Sequence, residues 1–242
     1  MEAQVKLLSL ELRRRSLGAL LCFGFALFYS LYNWLPLLDA RWSIIDDHEI
    51  VAAIGIGDRL PFSEIPVALG KTEVGNAGIA TRFRPSYYSL RFLEAATWGK
   101  QPQMWYAARI VIAVFFAVVL AGAGLRLSGA IPTFGFLFFE LSRPYWVDIF
   151  ARLGPAETYA VFGVSLIMLG FIVSTKKGWR ALPCFFVALG IVVAAGSKEN
   201  FIILAALPLW LIFSPTVRLS WGIEIYFCHC ASVSRMDFDH CC

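Results

Sequence analysis

Long uncharged runs, separated by shorter polar segments, dominate the chain. They cover residues 17–38, 110–125, 127–139, 158–175, 181–197 and 201–215. A helix needs about 20 mostly apolar residues to cross a bilayer, and none of these runs has the alternation of a membrane strand. The pattern therefore predicts an all-α, polytopic transmembrane helix bundle of about six spans. The run 127–139 is short, so it must tilt or extend past Glu140.

The first polar segment, residues 39–106, is too long for a simple connection. It predicts a long first loop that contains amphipathic helices. One helix is expected to begin after Asp46 or Asp47, where Ile50, Val51 and Ile54 have helical spacing. A second is expected over residues 86–99. Because Tyr and Trp favour the headgroup level, we expect this second helix on the membrane surface.

The distribution of charge predicts an orientation. The chain is 59% hydrophobic and 16% charged, whereas soluble domains carry about 25% charge. Positive residues collect in the segment 1–16 and in the segment 174–180, and such clusters favour the cytoplasmic side. This predicts a cytoplasmic N-terminus and an outer first loop, 39–106. The first run is longer than the apolar core of a cleaved signal peptide, which has about 7–15 residues. This length indicates a retained membrane anchor.

Ionisable residues gather at the predicted outer ends of the spans, and each has a structural and a chemical interpretation. The candidates are Asp46, Asp47, Glu49, Arg82, Arg84, Glu157, Lys198 and Glu199. An aspartate can cap a helix, and arginines can attract anionic lipid headgroups. Equally, guanidinium groups beside aromatic rings suit a phosphate ligand, and a carboxylate can take a proton from an acceptor hydroxyl.

Four short motifs carry a resemblance to a known family. They are "DDHE" (46–49), "RFRPSYY" (82–88), "RLGPAE" (152–157) and "SKEN" (197–200). In this order, after a first span, they resemble the GT-C class of integral membrane glycosyltransferases. Within that class the chain is similar to bacterial relatives of protein mannosyltransferases and aminoarabinose transferases, over roughly residues 10–222. The resemblance implies transfer of a sugar from a polyprenyl-phosphate donor to an acceptor on the outer or lumenal face.

The resemblance also implies a role for each candidate residue. Asp47 or Asp46 would be the catalytic base, and Asp46 with Glu49 would hold a divalent cation, Mg²⁺ or Mn²⁺. The donor phosphate would face Arg82, Arg84 and Lys198, whereas Glu157 and Glu199 would orient polar groups of the substrate. The implied partners are membrane lipids, the lipid-linked donor and an unidentified acceptor, with no nucleic acid. The expected location is a bacterial inner membrane or a eukaryotic secretory membrane.

The end of the chain has a different composition. Residues 223–242 hold four of the six cysteines, and we interpret them as the product of a frameshift; a zinc site or acylated cysteines are the alternatives. Members of the resembled family usually have more spans, so residues 17–222 would be its N-terminal portion and inactive alone. The rival functions are a transporter or lipid-handling protein, with charges near mid-membrane, and a structural subunit without a site.

Overall fold

The computed structural model describes residues 2–42, 47–75, 82–174 and 181–206. Asp46, the basic cluster at 176–180, most of the sixth predicted span and the cysteine-rich tail lie outside the described residues. Within the described ranges every regular element is helical. The predicted all-α class is therefore confirmed.

Nine α-helices and three short 3-10 segments form the described part of the chain. The helices are α1 (Glu2–Trp34), α2 (Asp47–Ile54), α3 (Ile65–Gly70), α4 (Pro85–Trp98), α5 (Pro102–Ser128), α6 (Ala130–Leu141), α7 (Tyr145–Phe150), α8 (Glu157–Val173) and α9 (Ala181–Ser197). The 3-10 segments are Leu35–Asp39, Phe62–Glu64 and Glu199–Ala205.

Proline and glycine set several helix boundaries. Pro85 and Pro102 stand in the first turns of α4 and α5, where the missing N–H has no helical acceptor to lose. Gly99 ends α4 with a φ of 56°. A Cβ atom at Gly99 would lie 2.0 Å from the Asp58 carbonyl oxygen, so the turn between α4 and α5 requires glycine.

The long helices alternate in direction, which gives the bundle two ends. Near one end Trp34 of α1 packs on Phe150 of α7, with ring centroids 5.5 Å apart. Near the other end the Cys22 thiol donates to the Ala130 carbonyl, at the start of α6. Helices α5 and α8 point in the same direction, because their last turns meet. Arg126 in the last turn of α5 donates to the Ile172 and Ser174 carbonyls at the end of α8. We call the end that carries the start of α8 the site end.

Helices α8 and α9 approach each other most closely through glycine. A Cβ atom at Gly163 would lie 2.5 Å from the Ala194 nitrogen, and one at Gly190 would lie 2.4 Å from the Gly163 carbonyl oxygen. Small residues allow the backbones of membrane helices to come this close. The contact brings the end of α9 beside the beginning of α8, at the site end.

Two helices are long and apolar enough to cross a membrane, judged by length and composition. One comprises Arg15–Asp39, which is α1 with the following 3-10 segment, and the other is α5. Large apolar side chains on α1 are well exposed, among them Leu20 and Phe28, each at 69%. Helices α6, α8 and α9 are apolar but shorter. Six spans therefore stay a prediction.

The segment between α1 and α5 folds into helices α2, α3 and α4, and some of their side chains pack on the start of α5. Ile50 and Ile54 of α2 are buried in one cluster with Phe92 of α4 and Trp105 of α5. The expected surface helix forms as α4, but its burial differs from the expectation. Arg91 and Glu94 are buried, whereas Leu93 is 47% exposed. Glu94 faces the protein because its partners, Arg109 and Tyr159, lie on α5 and α8. Arg91 donates to Tyr87 of its own helix and to the Gly154 carbonyl, in the segment before α8.

Candidate functional site

Helix α4 is anchored at its first residues to helix α9. The Ser86 hydroxyl donates to the Val192 carbonyl at 2.8 Å. A Cβ atom at Gly196 would lie 2.1 Å from the Ser86 oxygen, so the two helices touch there. This contact holds the start of α4, and the arginine just before it, against the site end of the bundle.

Arg84 occupies the N-cap position of α4 and forms an ion pair with Glu73. Its Nη2 atom lies 3.3 Å from Oε1 and 3.4 Å from Oε2 of Glu73, and its Nε atom lies 3.4 Å from Oε2. Burial lowers the pKa of the Arg84 guanidinium, but the hydrogen bonds and charge of Glu73 raise it above its ordinary value. Arg84 is therefore a stable cation near the surface.

Arginines and tyrosines continue from Arg84 into the protein interior. The Arg84 guanidinium lies 5.3 Å from the Tyr87 ring centroid, and the Arg91 guanidinium lies at the same distance from that ring. Tyr87 also donates to the Gly154 carbonyl at 3.0 Å. Cation–π contacts of this kind stabilise both guanidinium groups, so Tyr87 links a surface cation to a buried one.

A buried network lies behind this stack. Arg109 of α5 donates from Nη1 and Nη2 to the two carboxylate oxygens of Glu94 of α4, at 3.3 and 3.1 Å. Arg109 also donates to the Tyr159 hydroxyl of α8 at 2.9 Å, and that hydroxyl donates to Glu94. Arg109 is fully buried. The network thus joins α4, α5 and α8 by charged hydrogen bonds away from water.

Glu157 and Lys198 form a second ion pair at the site end. Glu157 begins α8, and Lys198 directly follows α9, so the pair joins two helices that already pack together. Burial raises the pKa of the Glu157 carboxyl, but the hydrogen bond from Lys198 and the charges of Lys198 and Arg84 bring it below its ordinary value. The contact between Ser86 and Gly196 brings the start of α4 beside the end of α9, so both ion pairs lie at the site end.

The acids of the "DDHE" motif face different surroundings. Asp47 is 1% exposed at the start of α2, within electrostatic reach of the Tyr106 hydroxyl, whereas Glu49 is exposed. Residues two apart on a helix do not face each other. Burial raises the pKa of the Tyr88 hydroxyl, and the charges of Glu73 and Glu49 add to this rise. The Glu49 charge thus reaches Tyr88, whose ring lies beside the Arg84 guanidinium.

The remaining candidates are placed less centrally. Arg82 is exposed, three residues before the first residue of α4. Glu199 is half-buried at the start of its 3-10 segment, and its Oε1 atom is buried without a hydrogen bond from the described part of the chain. The structure therefore brings Arg84, Glu157 and Lys198 together, with Glu49 nearby.

The described ranges contain no group of three or more His, Cys, Asp or Glu residues that could hold a metal ion. Asp46, which the sequence assigns with Glu49 to a divalent cation, lies outside these ranges. Asp47 and Glu49 face different surroundings, so α2 does not present them as a pair of ligands. A metal site at the acidic motif stays a prediction.

Sequence reasoning missed several residues of this region, namely Glu73, Tyr87, Arg91, Glu94, Arg109 and Tyr159. Arg109 had a usable signal, because it directly precedes an uncharged run and an ionisable residue inside a membrane helix is a functional candidate. Glu73 had none, since it lies in a polar loop segment without a motif. Its importance depends on the turn that brings it to Arg84.

Comparison of the chain with protein families, with curated proteins and with solved structures gives no match.

Proposed function

We propose that this chain is the N-terminal portion of a GT-C-type membrane glycosyltransferase. It would move a sugar from a polyprenyl-phosphate donor to an acceptor at the site end of the bundle. The proposal includes six spans, a cytoplasmic N-terminus and a site on the outer face of a bacterial inner membrane. It rests on sequence resemblance together with the geometry of the site end.

One observation carries the proposal. Arg84, Glu157 and Lys198 are far apart in sequence, yet they meet at one end of the bundle beside Tyr87 and Tyr88. A lipid-linked sugar phosphate needs cations for its phosphate and a carboxylate for the acceptor proton. The exposed apolar faces of α1 and α9 provide surroundings for a lipid chain.

The proposed roles follow from position. Arg84 and Lys198 bind the donor phosphate, with exposed Arg82 guiding the approach of the anion. Glu157 orients Lys198, and Glu199 directs its buried carboxylate oxygen to a polar group of the substrate. The acceptor base comes from the acidic stretch, and Asp47 is the first choice because burial holds it in one position. A divalent cation, if bound, would neutralise the leaving phosphate.

A transporter or lipid-handling protein is the second candidate, and the Arg109–Glu94 pair favours it. Such proteins keep ionisable residues inside their membrane helices. Arg109 lies seven residues after Pro102, the first residue of α5, which is about 10 Å along the helix axis. Because α5 has 27 residues, Arg109 lies about a quarter of the way along the helix, in the half at the site end. Its depth thus agrees better with a site at the membrane surface.

The direct test measures donor cleavage without assuming an acceptor. Membranes containing the chain, alone or as the N-terminal portion of a longer protein, are incubated with polyprenyl-phosphate mannose or polyprenyl-phosphate aminoarabinose. The sugar passes to water or to an acceptor in the membranes, and the released polyprenyl phosphate is quantified. We expect Asp47→Asn to reduce release by at least about 100-fold, the usual contribution of a general base. Arg84→Ala should raise the apparent donor KM, because it removes a phosphate ligand.

Asp58→Asn is the matched control, since it removes an exposed carboxylate of the same loop near the opposite end of α4. It should leave release unchanged. Near wild-type release by both Asp47→Asn and Asp46→Asn would refute the catalytic assignment. No release by the wild-type chain with either donor would contradict independent transferase activity.

A further inference from the structure

The hydrogen bonds between Arg84 and Glu73 are longer than is usual for a charged pair. Its three N–O distances are 3.3–3.4 Å, whereas charge-assisted hydrogen bonds are usually about 2.7–2.9 Å. The Arg84 and Glu73 side chains are 18% and 28% exposed, so water reaches both. A partly hydrated pair at these distances is weak enough to be exchanged for a better anion.

Arg84 is held in place by contacts other than Glu73. Its guanidinium lies over the Tyr87 ring at 5.3 Å and over the Tyr88 ring at 5.8 Å. The start of α4 is fixed to α9 through Ser86. The guanidinium therefore keeps its position when the carboxylate leaves, and it remains available to an incoming anion.

Glu73 is presented by a separate turn, which follows α3. The Thr72 hydroxyl donates to the Leu69 carbonyl at 2.7 Å and accepts from the Val74 nitrogen at 3.2 Å. These bonds shape the turn locally, and the Glu73 carboxylate reaches from it to Arg84. Displacement of that side chain consequently leaves these turn hydrogen bonds in place.

The carboxylate of Glu73 does not by itself neutralise the positive charge around Arg84. Around Arg84, four cations (Arg84, Arg91, Arg109 and Lys198) face the carboxylates of Glu73, Glu94 and Glu157, with Glu49 beyond Tyr88. Displacement of Glu73 leaves one positive charge in excess. Arg91 is 5% exposed, so water screens its charge poorly. A phosphate that replaced Glu73 would thus meet a region with a positive excess.

We infer that Glu73 occupies the position of the ligand's phosphate on Arg84 and must be displaced when the ligand binds. Glu73 then sets the affinity of the site for a lipid phosphate headgroup. The inference rests on the proposed function and adds a residue that controls ligand entry to the same site. It predicts that removal of the Glu73 charge strengthens phosphate binding.

The test measures equilibrium binding of undecaprenyl phosphate to the purified full chain in detergent. Glu73→Gln keeps the side-chain size and should tighten binding about two- to fivefold, the range expected when a partly exposed ion pair no longer competes. Undecaprenol, which lacks the phosphate, should bind all variants equally. Phosphatidylglycerol in nanodiscs replaces the probe in a second arm, to separate a membrane diester from the polyprenyl monoester.

Two variants isolate the contact from general charge. Glu64→Gln removes an exposed carboxylate of the same loop, and it should leave the affinity unchanged. In an Arg84→Ala background, Glu73→Gln should have no further effect, because the shared partner is gone. These controls require only a binding measurement, so an inactive chain can be tested.

Each outcome has a definite meaning. Tighter binding by Glu73→Gln alone, lost without Arg84, supports the inference. If the wild-type chain binds and Glu73→Gln leaves the affinity unchanged or lowers it, the inference is overturned and the proposed function stands. An equal gain in affinity from Glu64→Gln has the same meaning. No binding of undecaprenyl phosphate or of phosphatidylglycerol by any variant overturns both proposals. A gain seen with phosphatidylglycerol only supports competition at Arg84 but contradicts the polyprenyl donor.

Discussion

Two arginine–glutamate pairs lie at helix α4, and they differ mainly in burial. In the Arg109–Glu94 pair the two side chains are 0% and 11% exposed, and the nearest N–O distance is 3.1 Å. In the Arg84–Glu73 pair they are 18% and 28% exposed, with a nearest distance of 3.3 Å. The residue types are the same, and each arginine contacts both carboxylate oxygens, Arg109 through Nη1 and Nη2 and Arg84 through Nε and Nη2. Their surroundings therefore decide what each pair can do.

Burial makes the first pair permanent and the second exchangeable. A buried charge that loses its partner has no water to replace it, so Arg109 and Glu94 depend on each other. Arg84 can exchange Glu73 for water or for another anion at little cost. This difference suits a site in which α4 is fixed to the bundle at depth and presents a cation at the surface.

The largest expected effect comes from breaking the buried pair. Glu94→Leu leaves the Arg109 guanidinium without a carboxylate and should lower the free energy of unfolding by about 3–5 kcal/mol. Unfolding in mixed micelles, followed by circular dichroism, measures this loss. Glu73→Leu at the surface pair should lower it by less than about 1 kcal/mol. Equal losses in the two variants would contradict the comparison.

The double variant Glu94→Leu with Arg109→Met tests the cause of that loss. Apolar residues that replace a whole buried pair are often neutral or stabilising, so the double variant should recover at least half of the lost stability. If it unfolds as easily as Glu94→Leu alone, lost packing rather than a stranded charge explains the effect.

A smaller effect is expected from the tyrosine that bridges the buried pair. Tyr159→Phe removes a hydroxyl that accepts from Arg109 and donates to Glu94. Hydrogen bonds to charged groups contribute about 1.5–3 kcal/mol, and we expect a loss of that size in the same unfolding assay. Because Phe keeps the ring, packing on Tyr87 is preserved.

Tyr145→Phe is the matched control for that hydroxyl. Tyr145 also donates to a carboxylate, that of Glu140, but Tyr145 is 44% exposed. Its removal should change stability by no more than about 0.5 kcal/mol, as for most surface substitutions. A loss at Tyr145 as large as at Tyr159 would show that burial does not separate the two sites.

The helices were more predictable from sequence than the pairs. The run 181–197 coincides with α9, and the run 158–175 lies close to α8 (Glu157–Val173). Apolar runs bounded by charge or proline mark helices clearly, because burial and capping act locally. The prediction began the second run at residue 110 and so excluded Arg109, which the structure places inside α5. The partners of a charged residue inside an apolar helix lie on other elements, so the sequence of that helix does not identify them.

The site was predictable only in part for the same reason. Arg84, Glu157 and Lys198 belong to motifs, and the structure brings them to one end. Their immediate partners were not foreseen, because pairing depends on how each helix is rotated. The rotation of α4 buries Glu94, and the turn after α3 brings Glu73 to Arg84. A sequence without a matching relative contains no record of such contacts.

The smallest expected effect concerns the partly exposed Glu157–Lys198 pair and its dependence on pH. The pKa of Glu157 in the folded chain lies below its ordinary value of 4.5, so its ionised form favours folding above that pH. This contribution is lost as the pH falls through the lowered pKa. Glu157→Gln should therefore reduce stability by less than about 1 kcal/mol at pH 7.

The difference between wild type and Glu157→Gln, measured by unfolding from pH 7 to pH 3, should shrink below pH 4.5 and then disappear. Subtracting the two curves removes the titration of all other acids that both chains share. With Lys198→Met in both chains the difference should be smaller at every pH, because the main cation beside Glu157 is absent. A difference that grows toward low pH would mean that burial outweighs Lys198 and that the Glu157 pKa is raised. Glu157 would then be a protonated group suited to donating a hydrogen bond, and the contrast between displaceable surface pairs and the buried pair would apply to Arg84 alone.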